Sequence, residues 1–351
     1  MSQLTNISGG ARKAVLIVVM LLVAYFLFIF LIRMIILIWR SSHQPKRIQP
    51  DVRFGQLDSP RFVNYATTSA GLTFSLLTIE GAPPESTASA KVYEIAKKLP
   101  TFSTGLRVTS LARRLGFDEE PTINDTTYYF VDSANSLRSL VIEGVYLNFH
   151  LKYNYRGQSA IFVRPLDVPK EQLIKNFTNF LSQKGIFDDT VLKGRTALQL
   201  LRYNTESGEL IPAKSIADAH AMRIDFFRQD VDNLPLVPPK YFTSYNYVLH
   251  IPKPGRNDAQ LLEISYSFWP LSDNFATYPL KTANEAYTEL IEGKAYIINK
   301  GFNESEITLR NIHLAYFDDD QIQPYLQPVF VFAGDREFVA MSPAISSQWL
   351  K

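Results

Sequence analysis

The feature that most constrains this chain is an uncharged apolar run near its amino terminus. Residues 14–32 form a stretch of 19 residues without a single charged side chain. As a helix rising about 1.5 Å per residue, such a run is close in length to the bilayer hydrocarbon layer of about 30 Å. Because residues 34–39 continue the apolar pattern after Arg33, we predict a transmembrane helix over residues 14–39, preceded by a short tail over residues 1–13.

The residues that flank the run are typical of an uncleaved membrane anchor. The guanidinium of Arg33 would reach toward the nearer head groups, and Trp39 stands where interfacial aromatics occur. A cleavable signal peptide would have a shorter apolar region and a small-residue cleavage site, and a helix of a soluble protein would have a polar face. The predicted anchor residues are Arg12, Lys13, Arg33, Trp39 and Arg40.

The basic residues that flank the predicted span indicate its orientation, but two rules for interpreting them disagree. More bases follow the run than precede it, and this count alone favours a cytoplasmic body. A short basic tail usually stays inside, however, and long domains are translocated largely regardless of charge. We therefore favour a single-pass signal-anchor protein of the cell membrane, with its amino terminus inside and an extracytoplasmic body.

Composition and charge exclude several functional classes. The chain has 351 residues, 46% of them hydrophobic, and no cysteine, which rules out disulfide scaffolds and thiolate metal sites. Residues 1–49 carry six bases and no acid, so the other 30 bases and 34 acids give residues 50–351 a net charge of −4. An acidic body disfavours nucleic acid as a partner. Phosphate-binding, dinucleotide, zincin and serine-hydrolase motifs are absent, so we predict no nucleotide, no cofactor and no metal.

The body is predicted to be α+β, built from two or three small units in which a helix packs on an antiparallel sheet. Residues 40–56 contain two prolines and indicate a stalk. Helix–strand patterns then predict units over residues 57–165, 166–240 and 241–351, with a proline-rich joint before the last unit. Apolar spacing predicts helices over residues 88–99, 108–115 and 169–185, and a capping box at Thr282 and Glu285 opens a fourth. Strands are predicted over residues 126–131, 145–153, 196–203, 221–228, 245–251, 261–269, 307–317, 328–333 and 337–341.

The last unit resembles a known class of module. The run Tyr278-Pro279-Leu280-Lys281-Thr282, the helix residues Glu285-Ala286-Tyr287, the strand over residues 307–316 and the run Leu326-Gln327-Pro328-Val329-Phe330-Val331-Phe332 are similar to extracytoplasmic PepSY-like and YycI-like modules. The resemblance covers residues 241–345. It implies a tyrosine–proline turn that leads into a short helix on an antiparallel sheet, and an outward-facing domain that binds other envelope proteins, restrains a peptidase or modulates a sensor kinase.

A search for reactive groups gives acidic turns and isolated histidines. The five histidines are far apart in sequence, which favours structural roles over metal binding. The triplet Asp318-Asp319-Asp320 follows a predicted strand, as a solvated turn would. It could also bind a hard cation, although it lacks the spacing of a calcium-binding loop.

Aromatic side chains are the strongest candidates for a binding surface. Tyrosine and phenylalanine contribute 18 and 24 residues, and several alternate along predicted strands, where half would face outward. Such side chains can bind a partner chain or a glycan, or they can fill the cores of the predicted units. The candidate binding residues are Tyr241, Tyr245, Tyr247, Tyr266 and Trp269.

Three functions agree with these observations. The first is a non-enzymatic regulator or scaffold that binds an envelope protein. The second is an envelope hydrolase of peptide or glycan, which would need a deep pocket where acids such as Glu263, Asp318 or Asp335 converge. The third is an accessory subunit of a membrane complex, in which Arg33 pairs with an acid of another transmembrane helix. The first is the leading hypothesis, and a flat aromatic or edge-strand surface would favour it over the second.

Overall fold

The computed structural model describes residues 20–35, 50–62, 72–78, 81–84, 87–162, 170–253, 256–301 and 305–351. The chain divides into two compact units, residues 1–48 and residues 49–351.

In the first unit, residues 20–35 form a helix, α1. Among the described residues, no helix combines the length and the apolar character needed to cross a membrane. The prediction of a membrane-spanning, single-pass signal-anchor helix is therefore wrong for the part of the chain that the structure describes. Arg33 is an exposed residue of α1. Residues 14–19 and 36–39 lie outside the described residues, as do the predicted anchor residues Arg12, Lys13, Trp39 and Arg40.

The second unit contains the remaining helices and all the strands of the described chain. Its helices are α2 (Thr104–Arg114), α3 (Lys170–Lys184), α4 (Asp189–Leu192) and α5 (Ala283–Ile291). Its first nine strands are β1 (Thr73–Leu76), β2 (Ser89–Ile95), β3 (Thr122–Asn124), β4 (Thr127–Val131), β5 (Arg138–Glu143), β6 (Phe149–Tyr153), β7 (Thr196–Asn204), β8 (Glu209–Pro212) and β9 (Ala221–Phe226). The others are β10 (Leu236–Val237), β11 (Tyr247–Lys253), β12 (Arg256–Tyr266), β13 (Leu271–Pro279), β14 (Tyr296–Asn299), β15 (Glu306–Phe317), β16 (Tyr325–Gly334) and β17 (Val339–Pro343).

Nine of these strands form one antiparallel sheet. Its order is β3-β4-β5-β6-β12-β11-β9-β7-β8. One face of this sheet carries alternate apolar residues, among them Leu140, Ile224 and Ile264, which pack in one core with the apolar faces of α2 and α3. The helices thus cover one face of the sheet, which is what a sheet with alternating apolar residues needs for stability.

The other eight strands form a second sheet around the hairpin of β15 and β16. Strands β16, β17 and β14 follow one another in antiparallel pairs, while β1 and β10 pair with β15 in parallel. Strand β2 bridges β13 and β16. Helix α5 contributes Ala286 and Leu290 to the core of this sheet.

The α+β fold class with two or three small units is wrong. Among the described residues, strand accounts for 38% and helix for 23%, and the strands form two large sheets. Strand β12 pairs with β6 and β11 pairs with β9, so the nine-stranded sheet takes strands from all three predicted units. Several small sheets would each expose two edge strands, whereas pairing between sequence-distant strands leaves this one sheet with only β3 and β8 at its edges.

The local signals for helices were mostly reliable. The predictions of α2, α3 and α5 are confirmed, and the Thr282–Glu285 capping box forms with both of its hydrogen bonds. The helix predicted over residues 88–99 is wrong, because Ser89–Ile95 form β2. The spacing of Val92 and Ile95 suits a helix, but both side chains are buried in the second sheet through pairing with β13 and β16.

His250 provides a test of the core between the nine-stranded sheet and helices α2 and α3, which we call the helix-covered core. It is buried, neither ring nitrogen has a hydrogen-bond partner, and its ring stacks on Phe177 of α3 at 4.3 Å between centroids. Burial lowers the pKa of His250 to about 3. The unfolded chain, with an ordinary histidine pKa of about 6.5, therefore binds more protons between pH 6.5 and pH 3, and the free energy of unfolding falls as pH falls through this window.

We expect His250→Leu to remove the contribution of the buried imidazole to the pH dependence of the free energy of unfolding. Urea unfolding of this variant at several pH values measures how the free energy of unfolding depends on pH. Below pH 6.5, the slope of that dependence should be smaller than in the wild type by up to about 1.4 kcal/mol per pH unit. Phe177→Leu is the control: it loosens the core but keeps the imidazole, so it should lower stability and retain the slope. Equal slopes for His250→Leu and the wild type would contradict a buried neutral imidazole.

Candidate functional site

A buried ion pair joins the two sheets. Arg228, just beyond β9 of the first sheet, donates from Nη1 to Oδ1 of Asp318, just beyond β15 of the second, at 2.8 Å. Both side chains are buried, with 5% and 8% of their surface exposed. Tyr245, which precedes β11, donates from its hydroxyl to the other oxygen of Asp318 at 2.5 Å. One carboxylate thus accepts two hydrogen bonds from the neighbouring sheet.

The position of Arg228 depends on close packing of its backbone. A Cβ on Gly194 would lie 1.9 Å from the carbonyl oxygen of Phe227 and 2.8 Å from the carbonyl carbon of Arg228, so only glycine fits beneath this segment. The guanidinium of Arg228 lies 4.7 Å from the ring centroid of Phe268. Burial acts to lower the pKa of Arg228, but the charge and hydrogen bond of Asp318, together with Tyr245 and Tyr266, outweigh it and the pKa lies above its ordinary value.

In front of this ion pair lies a cleft of about 560 Å³ between the sheets. Its size is within the range of about 300–1,000 Å³ that is usual for ligand pockets. The first sheet and the loop that leads from β10 into β11 contribute one wall, and the loop after β15 contributes the other. The lining residues are Arg61, Arg223, Pro238, Pro239, Lys240, Thr243, Ser244, Tyr245, Tyr247, Ser265, Asp319, Asp320 and Gln321.

The centre of the first wall is a stacked arginine and tyrosine. The guanidinium of Arg223 lies 3.6 Å from the ring centroid of Tyr247. Asp225 accepts from Nη2 of Arg223 at 2.8 Å, and the carbonyl of Ser244 accepts from the same nitrogen at 2.9 Å. Three contacts therefore hold this cation in one orientation before any ligand arrives.

Behind Tyr247 is a carboxylate with two polar partners. Oε1 of Glu263 accepts from the hydroxyl of Tyr247 at 2.7 Å and lies 2.6 Å from Nε2 of His150. Burial would raise the pKa of Glu263, but the hydrogen bonds from His150 and Tyr247 outweigh it and the pKa lies below its ordinary value. Glu263 therefore stays charged at neutral pH and fixes the phenol of Tyr247.

The second wall is acidic. Asp319 and Asp320 both line the cleft, and burial together with a hydrogen bond involving Asp320 raises the pKa of Asp319 to about 6. Gln321 and Gln323 donate to the carboxyl of Asp319. Trp269 supports this loop from behind, because its indole Nε1 donates to the carbonyl of Asp319 at 3.2 Å.

The structure brings together two of the five predicted aromatic binding residues. Tyr245 and Tyr247 line the cleft. Tyr241 lies in the same loop but packs against the core around Val237 instead. Tyr266 is buried in the helix-covered core, and Trp269 is half-buried beneath the acidic loop.

The acids named for the hydrolase hypothesis do not converge. Asp318 is neutralised by Arg228 behind the cleft, Glu263 lies behind Tyr247, and Asp335 forms an exposed bidentate pair with Arg310 in the turn after β16. The acids that do line the cleft are Asp319 and Asp320. They belong to the triplet interpreted as a solvated turn or a possible cation site, and it is the parallel pairing of β10 with β15 that brings this triplet to the loop after β10.

No comparable signal in the sequence indicates the basic residues of the cleft. Arg61, Arg223 and Lys240 come from segments far apart in the chain, and no motif connects them. Within the described residues, no group of three or more histidine, aspartate or glutamate side chains is arranged to hold a metal ion.

Comparisons with known proteins add no function. No protein-family model matches the sequence, and no curated protein matches it. Among solved structures, the chain is similar to an uncharacterized protein from Eubacterium rectale ATCC 33656, with 12% sequence identity, a TM-score of 0.43, and coverage of 74% of this chain and 84% of that one. The resemblance to PepSY-like and YycI-like modules stays a prediction.

We expect the Arg228–Asp318 pair to be necessary for stability. Replacing Arg228 with methionine leaves a buried carboxylate without its cation, so the free energy of unfolding in urea should fall by about 3–5 kcal/mol. Lys193→Met is the control, since it breaks the exposed Lys193–Asp189 pair and should leave the unfolding midpoint unchanged. Equal effects of the two substitutions would mean that the buried pair does not stabilise the fold.

Proposed function

We propose that this protein is a non-enzymatic binding module that takes an extended segment of a partner polypeptide into the cleft between its sheets. The observation that carries the proposal is the wall formed by Arg223 stacked on Tyr247, with Tyr245 beside it and two carboxyls opposite. This combination offers an aromatic surface and both signs of charge within one concave site.

The aromatic wall supports a polypeptide ligand. Tyrosine rings give a large contact area at low entropic cost, which is why they are frequent in protein interfaces. Tyr247 is held by Glu263 and Arg223, so little ordering is needed when a ligand binds.

The charges support the same ligand class. Arg61, Arg223 and Lys240 can face carboxylates or carbonyl oxygens, while Asp319 and Asp320 can face ammonium, guanidinium or amide groups. A polypeptide presents both kinds of group along its length, whereas a simple anion or cation would meet like charge on one wall. We propose a partner in the cell envelope, because residues 241–345 resemble extracytoplasmic PepSY-like and YycI-like modules.

The hydroxyl groups of the cleft give less support to a covalent enzyme. Ser244 donates from Oγ to the carbonyl of Phe226 and accepts from the amide of Asn246, which leaves it poorly placed to attack a substrate. No histidine is present among the residues that line the cleft as described, so no nucleophile there has an imidazole base beside it.

Selection from a displayed random-peptide library tests the proposal. The full-length protein should enrich peptides that share a sequence motif including an acidic residue. Arg223→Glu should weaken the affinity of the enriched peptide by at least about tenfold, equivalent to about 1.4 kcal/mol, because it reverses the charge that faces the ligand.

Tyr129→Ala is the matched control, since Tyr129 is an exposed tyrosine of β4 in the same sheet and does not line the cleft. It should leave the affinity unchanged. Failure to enrich a shared motif, or equal loss of affinity in both variants, would refute polypeptide binding at this site.

One observation favours a second candidate, the hydrolase of peptide or glycan. Asp319 has a pKa of about 6 and lines the cleft beside Asp320, as a general acid with a neighbouring carboxylate would. If so, hydrolysis of labelled peptidoglycan or of a peptide mixture by the purified protein should be lost in Asp319→Asn and retained in Gln321→Ala. Absence of wild-type activity on both substrate classes would count against this candidate.

A further inference from the structure

A second surface, distant in sequence from the cleft, carries unusually exposed apolar side chains. Leu99, Phe102 and Leu106 are 79%, 111% and 76% exposed. A value above 100% means that the ring of Phe102 makes almost no contact with the rest of the protein. Single exposed apolar residues are common, but three within eight positions form a cluster that needs an explanation.

The same segment is strongly basic. Residues 96–117 contain five bases, Lys97, Lys98, Arg107, Arg113 and Arg114, and no acid. None of these five forms a salt bridge with another described residue. The whole chain has nearly equal numbers of acids and bases, so this concentration of positive charge is local.

The exposed apolar side chains are distinct from the face of α2 that packs into the core. The apolar face of α2, with Val108, Leu111 and Ala112, is already buried against the nine-stranded sheet. Leu106 and Arg113 are exposed residues of the same helix, one on each side of its middle. Phe102 and Leu99, which are also exposed, lie in the segment that leads from β2 into α2.

We propose that this surface, formed by Lys97, Lys98, Leu99, Phe102, Leu106 and Arg113, docks on an anionic lipid bilayer. Protruding apolar side chains enter the boundary between head groups and acyl chains, and the surrounding bases contact the anionic head groups. The charge of the surface is complementary to such a bilayer, and a projecting ring needs no preformed pocket in a fluid surface. This mode of binding requires no helix that spans the membrane.

A fluorescent label at the centre of the surface tests the proposal in the full-length protein. The chain has no cysteine, so Ser103→Cys gives a single thiol for the environment-sensitive dye NBD. Ser103 is exposed, and its side chain makes no capping hydrogen bond to α2. Ser207→Cys, in the exposed turn between β7 and β8, provides the matched control position.

We expect vesicles of phosphatidylcholine with phosphatidylglycerol to cause a severalfold rise in NBD emission at position 103 and none at position 207. Vesicles of phosphatidylcholine alone should have little effect. In the Ser103→Cys background, Phe102→Asp should abolish the rise, and Lys97→Glu with Lys98→Glu should raise the lipid concentration needed for half of the effect by at least about tenfold.

Three results would overturn the proposal. An equal rise at both labelled positions would mean that another part of the protein contacts the vesicles. No rise at position 103 with anionic vesicles would exclude lipid contact at this surface. A rise with poly-L-glutamate but not with vesicles would assign the surface to an acidic polypeptide instead.

Discussion

The buried ion pair between Arg228 and Asp318 is the interaction on which the cleft depends. Transfer of two charges from water costs several kcal/mol per ion, and only good geometry with further hydrogen bonds offsets that cost. Tyr245 supplies the further hydrogen bond to Asp318, and Gly194 permits the close approach that places Arg228. These contacts hold the ends of β9 and β15 together, and the walls of the cleft extend from those ends.

The consequence for function is a site whose main groups are oriented in advance. Arg223 is held by Asp225, by a backbone carbonyl and by the ring of Tyr247, while Trp269 supports the loop of Asp319. Preorganised groups lose little entropy on binding, which favours recognition of a flexible ligand such as a polypeptide. The surface around Phe102 is the opposite case, since its side chains project without support and suit a fluid partner.

Short-range signals in the sequence predicted helices well and sheet architecture poorly. The capping box at Thr282 and Glu285 and the periodicity of α2 and α3 depend on residues within a few positions, and these predictions are confirmed. The apolar spacing in the segment of β2 predicts a helix, but its conformation is decided by β13 and β16, which lie far along the chain. Likewise, the place of Asp318 after a strand predicts a solvated turn, because its cation is 90 residues away in the sequence.

The most direct test of the central claim is hydrogen exchange of the full-length protein with and without a peptide enriched from the displayed library. Binding in the cleft predicts slower exchange in residues 239–247 and 318–321, on the two walls, and unchanged exchange in α2 and β4. Slower exchange confined to other parts of the protein, with the two walls unaffected, would contradict the claim that the cleft held by Arg228 and Asp318 is the polypeptide-binding site.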